Sequence, residues 1–234
     1  MASLKSHLHS GPPHSRKEMI YHKLRDRICS VQYPPGSILR ETELAEEFNI
    51  SRTPIRHVLT TLEHDGFLVV KHGVGNIVSE IEPRELVEIF TVRMILWQSA
   101  GDFFVSPFPE GAAEQFTEYK ASFQSVEPGD VVGFGRANNA YYIGLAELIT
   151  NRTLRDTIMK LFFQTSRMWL VSLPALDWEE VIVAVSDELD ELSRLIRLED
   201  PIGLGLAARN HVFMARRRIL EGLNMELKDV RRPF

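Results

Sequence analysis

Hydrophobic residues recur every three to four positions over most of this chain, and this spacing predicts a mostly helical protein. Turn residues punctuate the first eighty residues, where two short segments flank a His-Gly tip and predict a hairpin. The predicted helices cover residues 16–31, residues 41–48 and the segment from the turn at 49–51 to Asp65-Gly66, and the predicted strands cover residues 37–40, 67–71 and 76–79.

From residue 82 the helical period continues almost to the end, interrupted by short proline, glycine or asparagine breaks. Helical segments with such short breaks favour an antiparallel bundle. They lie near residues 83–104, 110–125, 129–149, 152–172, 177–198 and 201–222. We therefore expect a flexible tail over residues 1–15, a winged helix-turn-helix over residues 16–80 and an all-helical antiparallel bundle over residues 81–234.

The helix that follows the turn at 49–51 has two distinct faces. Its apolar side can pack into a core and consists of Ile55, Val58, Leu59 and Leu62. Its opposite side is polar and cationic, with Arg52 at the leading end followed by Thr53, Arg56, His57 and Thr60. A helix of this kind, braced by the helix before it, fits the major groove of DNA.

The composition is that of a folded protein, because 44% of the residues are hydrophobic. The N-terminal stretch lacks an apolar signal run, and no segment approaches the length of apolar residues that spans a membrane. We therefore expect a soluble, cytoplasmic protein with no membrane partner. The single cysteine, Cys29, excludes an internal disulfide and a thiolate zinc site.

The net charge of −5 is unevenly distributed along the chain. Residues 1–80 contain ten basic and nine acidic side chains, whereas residues 81–234 contain seventeen and twenty-three. Binding of nucleic acid by the first part therefore requires basic charge concentrated on its groove-facing side. Seven of the eight histidines also lie in the first part, which leaves only His211 in the second.

Four segments of the first part, PPGS, LRETELAEEF, SRTPIR and LEHDGFLVVKHGVG, resemble the GntR family of bacterial transcription regulators. The resemblance covers residues 20 to 80 and implies a winged helix-turn-helix that binds a double-stranded DNA operator. It implies contacts from both helices of the motif and minor-groove contacts from the wing tip. With the polar face of the second helix, the expected DNA-binding residues are Thr42, Ser51, Arg52, Thr53, Arg56, His57, His72 and Gly73.

We expect Arg52 and Arg56 to recognise guanine, because a guanidinium can bridge the O6 and N7 atoms of that base. The alternative is that both arginines are solvated surface charges. Thr42 differs from some members of the family, which carry an arginine at this position. The base preference at one operator position therefore stays open.

The second part resembles the FCD type of effector domain of the FadR-like branch, through EIFTVRMILW, NNAYYIGLAEL and DPIGLGLAARNHV. Such domains commonly hold a divalent metal through an aspartate or asparagine and three histidines, and the metal helps to bind a small carboxylate. The matching positions here are Asn138, Tyr142, Leu189 and His211. Because leucine cannot ligate and neutral tyrosine is a poor replacement for imidazole, we expect no bound metal and no cofactor.

Polar side chains that interrupt the apolar helix faces suggest how an effector can bind without a metal. Arg93 must be paired or must meet an anion, because an unpaired buried charge is costly. It either binds the carboxylate of an effector or forms a salt bridge to a glutamate of the bundle. His211 is either a buried histidine bonded to its neighbours or an effector contact. The candidate effector-binding residues are Arg93, Trp97, Asn138, Tyr142 and His211.

We expect a homodimeric transcription regulator, a repressor, that binds a palindromic operator and responds to a small organic acid. The alternative is a ligand-insensitive or partner-regulated DNA-binding protein with a degenerate effector site. An enzyme is not expected, because no nucleophile–base pair, phosphate loop or metal-ligand cluster can be assembled. The arginine run at 216–218 is either a solvated helix face, an interdomain contact or a DNA contact.

Overall fold

A computed structural model describes residues 15–80 and 82–224 of the chain. These residues divide into two compact units, one made of residues 15–28 and 32–80 and the other of residues 29–31 and 82–224. The expected fold class is confirmed, since an N-terminal helix-turn-helix unit is followed by an all-helical unit. The tail expected over residues 1–15 lies, apart from Ser15, outside the described residues.

The first unit combines helices with a small antiparallel sheet. Its elements are α1 (Arg16–Cys29), β1 (Ile38–Leu39), α2 (Glu41–Glu47), α3 (Arg52–His64), β2 (Leu68–Lys71) and β3 (Gly75–Val78). The strand order is β1-β3-β2, and Ile77 of β3 lies opposite Ile38 on one side and Val69 on the other. The first helix ends two residues earlier than predicted, because Val31 adopts a left-handed conformation with φ of 58°.

The turn between α2 and α3 uses residues suited to its backbone. Asn49 adopts a φ of 49°, a left-handed conformation that asparagine tolerates better than most residues. Ser51 then occupies the position before α3 in an extended conformation, but its side chain makes no capping hydrogen bond. Thr53 lies inside the helix. The helix therefore begins without a side-chain cap from Ser51.

The second unit is a bundle of antiparallel helices at almost the predicted positions. Its helices are α4 (Pro83–Ala100), α5 (Ala112–Gln124), α6 (Val131–Glu147), α7 (Arg152–Ser172), α8 (Trp178–Arg197) and α9 (Pro201–Gly222). The principal packing pairs are α4 with α9, α5 with α8 and α6 with α7. The largest difference from the sequence prediction is at the end of α4, where a short 3-10 turn replaces the last helical residues.

Side-chain caps explain why four of these helices begin where they do. In each case an acceptor oxygen receives the backbone N–H three residues further on, and the capping residues are Asp130, Asn151, Asp177 and Asp200. A cap of this kind stabilises a helix by about 1 kcal/mol relative to alanine. The breaks that the sequence shows as proline, glycine or asparagine are therefore also helix start signals.

The packing of α9 against the end of α4 depends on a glycine. A Cβ added at Gly205 would lie 2.7 Å from the backbone nitrogen of Gly101 and 3.0 Å from the carbonyl oxygen of Gln98. Both are backbone atoms, so rotation of a side chain cannot relieve the contact. This close approach fixes the crossing of the two helices that carry Arg93 and His211.

We predict that Gly205→Ala lowers the free energy of unfolding of the bundle by about 1–3 kcal/mol, because it overpacks a backbone contact. Alanine otherwise favours a helix by about 1 kcal/mol over glycine. The measurement is urea unfolding of the full-length protein followed by tryptophan fluorescence, since Trp97, Trp169 and Trp178 all lie in the second unit.

The matched control is Gly135→Ala in α6, whose added Cβ would meet only the side chain of Leu170, at 3.1 Å. That side chain can move, so we expect a neutral or stabilising effect. Equal effects of the two substitutions would contradict the role given to Gly205.

Candidate nucleic-acid interface and buried effector cluster

The two faces predicted for α3 are found in the structure. The apolar side is buried, with Ile55, Val58, Leu59 and Leu62 all in the core of the first unit. The opposite side is exposed and consists of Thr53, Arg56, His57 and Thr60. Packing therefore holds the helix in place while its polar surface stays accessible to a partner.

All eight residues expected to bind DNA are exposed. They lie at the start of α2, in the turn and first residues of α3, further along α3, and at the tip between β2 and β3; they are Thr42, Ser51, Arg52, Thr53, Arg56, His57, His72 and Gly73. At the wing tip Gly73 has a φ of 78°, a conformation that glycine adopts without steric cost. The backbone at this tip is therefore unobstructed by a side chain.

Glu41 connects the two arginines of α3, a role that the sequence analysis missed. Its two carboxylate oxygens accept hydrogen bonds from Nε and Nη2 of Arg56, each at 3.0 Å. Nη2 of Arg52 donates to the same carboxylate at 3.2 Å. The hydrogen bond from Arg56 is the main cause that lowers the pKa of Glu41. The carboxylate is therefore ionised and holds two cationic side chains.

In the second unit, Arg93 of α4 is a buried cation with few polar partners. Its Nη1 donates a hydrogen bond to Oγ1 of Thr165 at 2.7 Å, whereas its Nε and Nη2 atoms form no hydrogen bond with the residues that the structure describes. No carboxylate among residues 15–80 and 82–224 forms a salt bridge with it. The expected alternative, a salt bridge to a glutamate of the bundle, is therefore wrong for the described residues.

Aromatic rings surround the Arg93 guanidinium. Its central carbon lies 4.8 Å from the ring centroid of Phe90, 5.4 Å from that of Tyr142 and 5.5 Å from that of Phe162. Tyr142 stacks on Phe162 at 4.2 Å, and Trp97 lies 6.2 Å from Tyr142. Burial lowers the pKa of Arg93 and raises that of Tyr142 to about 12. Tyr142 is therefore a neutral hydroxyl, and within the described part of the chain its oxygen forms no hydrogen bond.

His211 of α9 extends this cluster towards α8. Its ring centroid lies 5.5 Å from that of Tyr142, and its Nδ1 forms an ion-pair contact with Oε2 of Glu188. The other oxygen of Glu188 accepts a hydrogen bond from Nη2 of Arg218 at 2.9 Å. His211 is therefore buried against neighbouring side chains, and direct contact with an effector stays a prediction. Arg218 is largely buried, so the interpretation as part of a solvated face is wrong for this residue.

Glu188 is the central residue of this contact. Burial opposes its ionisation, but His211 and Arg218 outweigh burial and hold the pKa of its carboxyl below the ordinary value. From the sequence, only the neighbouring Leu189 was considered, as a position matched to a metal ligand of FCD domains. Glu188 nevertheless follows Val181 and Val185 at helical spacing on the buried face of α8, and this was a usable signal.

The five candidate effector residues are all buried, and four of them form one cluster. Arg93, Trp97 and His211 each contact Tyr142. Asn138 is buried one helical turn before Tyr142, but it makes no hydrogen bond or ring contact with the other four in the described part of the chain. The structure therefore brings Arg93, Trp97, Tyr142 and His211 together. Asn138 lies outside this cluster.

Residues 16–78 match the family model described as "Bacterial regulatory proteins, gntR family". This match covers the three helices and the sheet of the first unit, including the exposed arginines of α3. The chain carries a GntR-family helix-turn-helix domain.

Curated relatives of this chain are named as regulators. An uncharacterized HTH-type transcriptional regulator of Bacillus subtilis is 27% identical over 143 residues, which are 59% of this chain and 62% of the relative. The gluconate operon transcriptional repressor of Bacillus licheniformis is 36% identical over 74 residues, 32% of this chain and 30% of the relative. The chain thus spans less than two thirds of the length of these relatives.

A solved structure has the same fold over most of the chain. Escherichia coli McbR/YncC superposes with a TM-score of 0.78 and 20% sequence identity, over 90% of this chain and 100% of that protein. The likeness therefore extends beyond the GntR domain to the helical bundle. None of the described helices combines the length and the apolar character that crossing a bilayer requires.

The positions that correspond to the metal ligands of FCD domains do not fit a metal in this chain. Leu189 offers no ligand atom, and the Tyr142 ring is stacked on Phe162 as a neutral phenol. Nδ1 of His211 faces Glu188. Among the described residues, no group of three histidine, cysteine, aspartate or glutamate side chains is arranged to hold a metal ion.

The free energy of unfolding should change in opposite directions when Arg93 and Glu188 are each replaced by an uncharged side chain. We predict that Arg93→Met raises the free energy of unfolding of the ligand-free protein by about 1 kcal/mol or more, because it replaces a poorly compensated buried charge with an apolar side chain. Glu188→Gln should lower it by about 3 kcal/mol, because Arg218 loses its buried partner. Urea unfolding followed by tryptophan fluorescence measures both, and destabilisation by Arg93→Met would mean that its protein contacts compensate the charge.

Proposed function

We propose that this protein is a homodimeric transcription regulator, a repressor, which binds a palindromic operator and is controlled by a small organic anion without a metal. The observation that supports DNA binding most directly is the exposed cationic face of α3 in a GntR-type domain. The gluconate operon relative is named a repressor, which supports repression over activation. This function places the protein in the cytoplasm, where the operator is found.

In this proposal α3 enters the major groove. Arg52 and Arg56 read guanine, since each guanidinium can donate two parallel hydrogen bonds to O6 and N7. Thr42, Ser51 and Thr53 contact phosphates near the start of both helices, and His57 lies further along the same face. His72 and Gly73 reach the minor groove from the wing, where the left-handed glycine leaves the backbone open.

Two copies are needed because a palindromic operator has two equivalent half-sites. An apolar stripe on the bundle surface supports a homodimer. On α9 the exposed residues Ile202 and Leu206 are one turn apart, and on the neighbouring α4 the exposed residues are Val92 and Ile95. Exposed apolar side chains on two helices that pack together are typical of protein interfaces.

The charge of the buried cluster supports an anionic effector. The carboxylate of Glu188 is engaged by Arg218 and His211, and no carboxylate of the described residues forms a salt bridge with Arg93. One positive charge, at Arg93, therefore lacks a counter-charge among the described residues. A monocarboxylate would neutralise it through the two unpartnered donors Nε and Nη2.

The surroundings of Arg93 support an apolar body for this anion. The rings of Phe90, Tyr142, Phe162 and Trp97 form the shell, and the Tyr142 hydroxyl supplies a neutral donor. Binding energy then comes from the charge pair and from burial of apolar surface together. The effector acts by shifting the population between dimers that are competent for DNA binding and dimers that are not.

The DNA-binding half is tested with a duplex selected by the full-length protein from a randomised pool and with a scrambled duplex of the same composition. We predict that Arg56→Ala lowers the preference for the selected duplex by about tenfold or more, because one base contact contributes about 1–3 kcal/mol of discrimination. Sedimentation should show two protein chains on each selected duplex.

Arg136→Ala is the control, because it removes an exposed arginine from α6. It should leave the preference unchanged. If Arg56→Ala retains the wild-type preference, the assignment of Arg56 to DNA reading is contradicted. If one protein chain is enough to saturate the duplex, binding as a homodimer is contradicted.

The effector half is tested by thermal unfolding with hexanoate, benzoate and the neutral isostere benzamide. We predict that at least one monocarboxylate stabilises the wild-type protein, by about 1.4 kcal/mol at ten times its Kd, and weakens binding to the selected duplex. Benzamide should not act, and Arg93→Met should abolish the response. No response to either acid would favour a ligand-insensitive regulator instead.

A further inference from the structure

Glu41 occupies an unusual position for an acidic side chain on a DNA-binding surface. It is the first residue of α2, next to Thr42, and its side chain is 20% exposed, against 59% for Arg52 and 64% for Arg56. A carboxylate here repels phosphates and lowers the affinity for any DNA sequence. We therefore expect a role of Glu41 that offsets this loss of DNA affinity.

Helix stability does not supply that role by itself. An acidic residue in the first turn of a helix, or an ion pair with an exposed arginine, contributes only about 0.3–1 kcal/mol. Glu43 of the same helix provides a comparison. It pairs with Arg40 at 2.9 Å, and both side chains are more than 60% exposed. Glu43 thus forms an ordinary surface pair, whereas Glu41 pairs with both arginines of α3.

The geometry of the Glu41–Arg56 pair restricts the guanidinium. Nε and Nη2 of Arg56 donate to the two carboxylate oxygens at 3.0 Å each, so the planar groups are held edge to edge. One edge of the guanidinium is thereby occupied. Nη1 and the second hydrogen of Nη2 form the remaining edge, which carries two parallel donors of the kind that guanine recognition requires.

We propose that Glu41 is a specificity-determining positioning residue, which presents the free guanidinium edges of Arg56 and Arg52 to base edges and prevents them from pairing with phosphates. This inference rests on the proposed function, since it assumes that the two arginines read DNA. Glu41 contacts no base itself. It lowers the affinity for any DNA sequence and raises the preference for the operator over other sequences.

The test compares Glu41→Gln with Glu43→Gln in the full-length protein, using the selected and scrambled duplexes over a range of salt concentrations. Each substitution removes one negative charge from α2 and preserves the size of the side chain. Only Glu41→Gln removes the two-oxygen acceptor that orients Arg56. Circular dichroism and the unfolding midpoint of each variant report whether the fold is retained.

We expect Glu41→Gln to raise the affinity for the scrambled duplex several-fold and to lower the ratio of the two affinities by roughly tenfold. The salt dependence on scrambled DNA should steepen by about one in log–log slope, because a released arginine gains a phosphate contact. Glu43→Gln should leave both the ratio and the slope near the wild-type values.

Two results would overturn the inference while leaving the proposed function intact. One is an equal effect of the two glutamine variants on the affinity ratio, which would mean that Glu41 acts only through its negative charge. The other is an equal weakening of both duplexes by Glu41→Gln, which would indicate a structural role. If the wild-type protein shows no preference, or if Arg56→Ala behaves as wild type, the proposed function itself fails.

Discussion

The guanidinium of Arg93 is held among aromatic rings and donates a hydrogen bond to the hydroxyl of Thr165. A buried cation loses its hydration, and neither a threonine hydroxyl nor the faces of aromatic rings replace it fully. The carboxylate of Glu188, which contacts His211 in the same cluster, is engaged by His211 and Arg218. In the described part of the bundle, Arg93 is therefore a buried cation that no carboxylate neutralises.

Glutamates determine what the arginines can do in both units, with different results. In the GntR-type domain, Glu41 orients Arg52 and Arg56 while leaving each more than half exposed, so the cations remain available to DNA. In the bundle, Glu188 is taken by Arg218, and Arg93 remains without a carboxylate among the described residues. The first arrangement favours recognition of a large polyanion from solvent, and the second favours binding of a small anion out of solvent.

Local patterns in the sequence predicted most of the helices because the causes are local. Apolar spacing identified the two faces of α3 and the polar interruption at Arg93, and one break residue, Asn151, proved to be a helix cap. The pairing of Glu41 with Arg56 and the approach of Gly205 to Gly101 depend on how separate elements cross. Such contacts are not encoded by spacing within one helix. Glu188 was missed for a different reason, since its place on the buried face of α8 was visible in the spacing.

The central claim is that Arg93 holds an organic anion in the functional protein. The most direct measurement is a crystal structure of the protein purified from its own host without added ligand. The account predicts a small organic anion with an oxygen within hydrogen-bond distance of Nε or Nη2 of Arg93 and an apolar part against the rings of Phe162 and Trp97. An Arg93 guanidinium that contacts only protein groups and water, or a metal ion bound at His211, would contradict it.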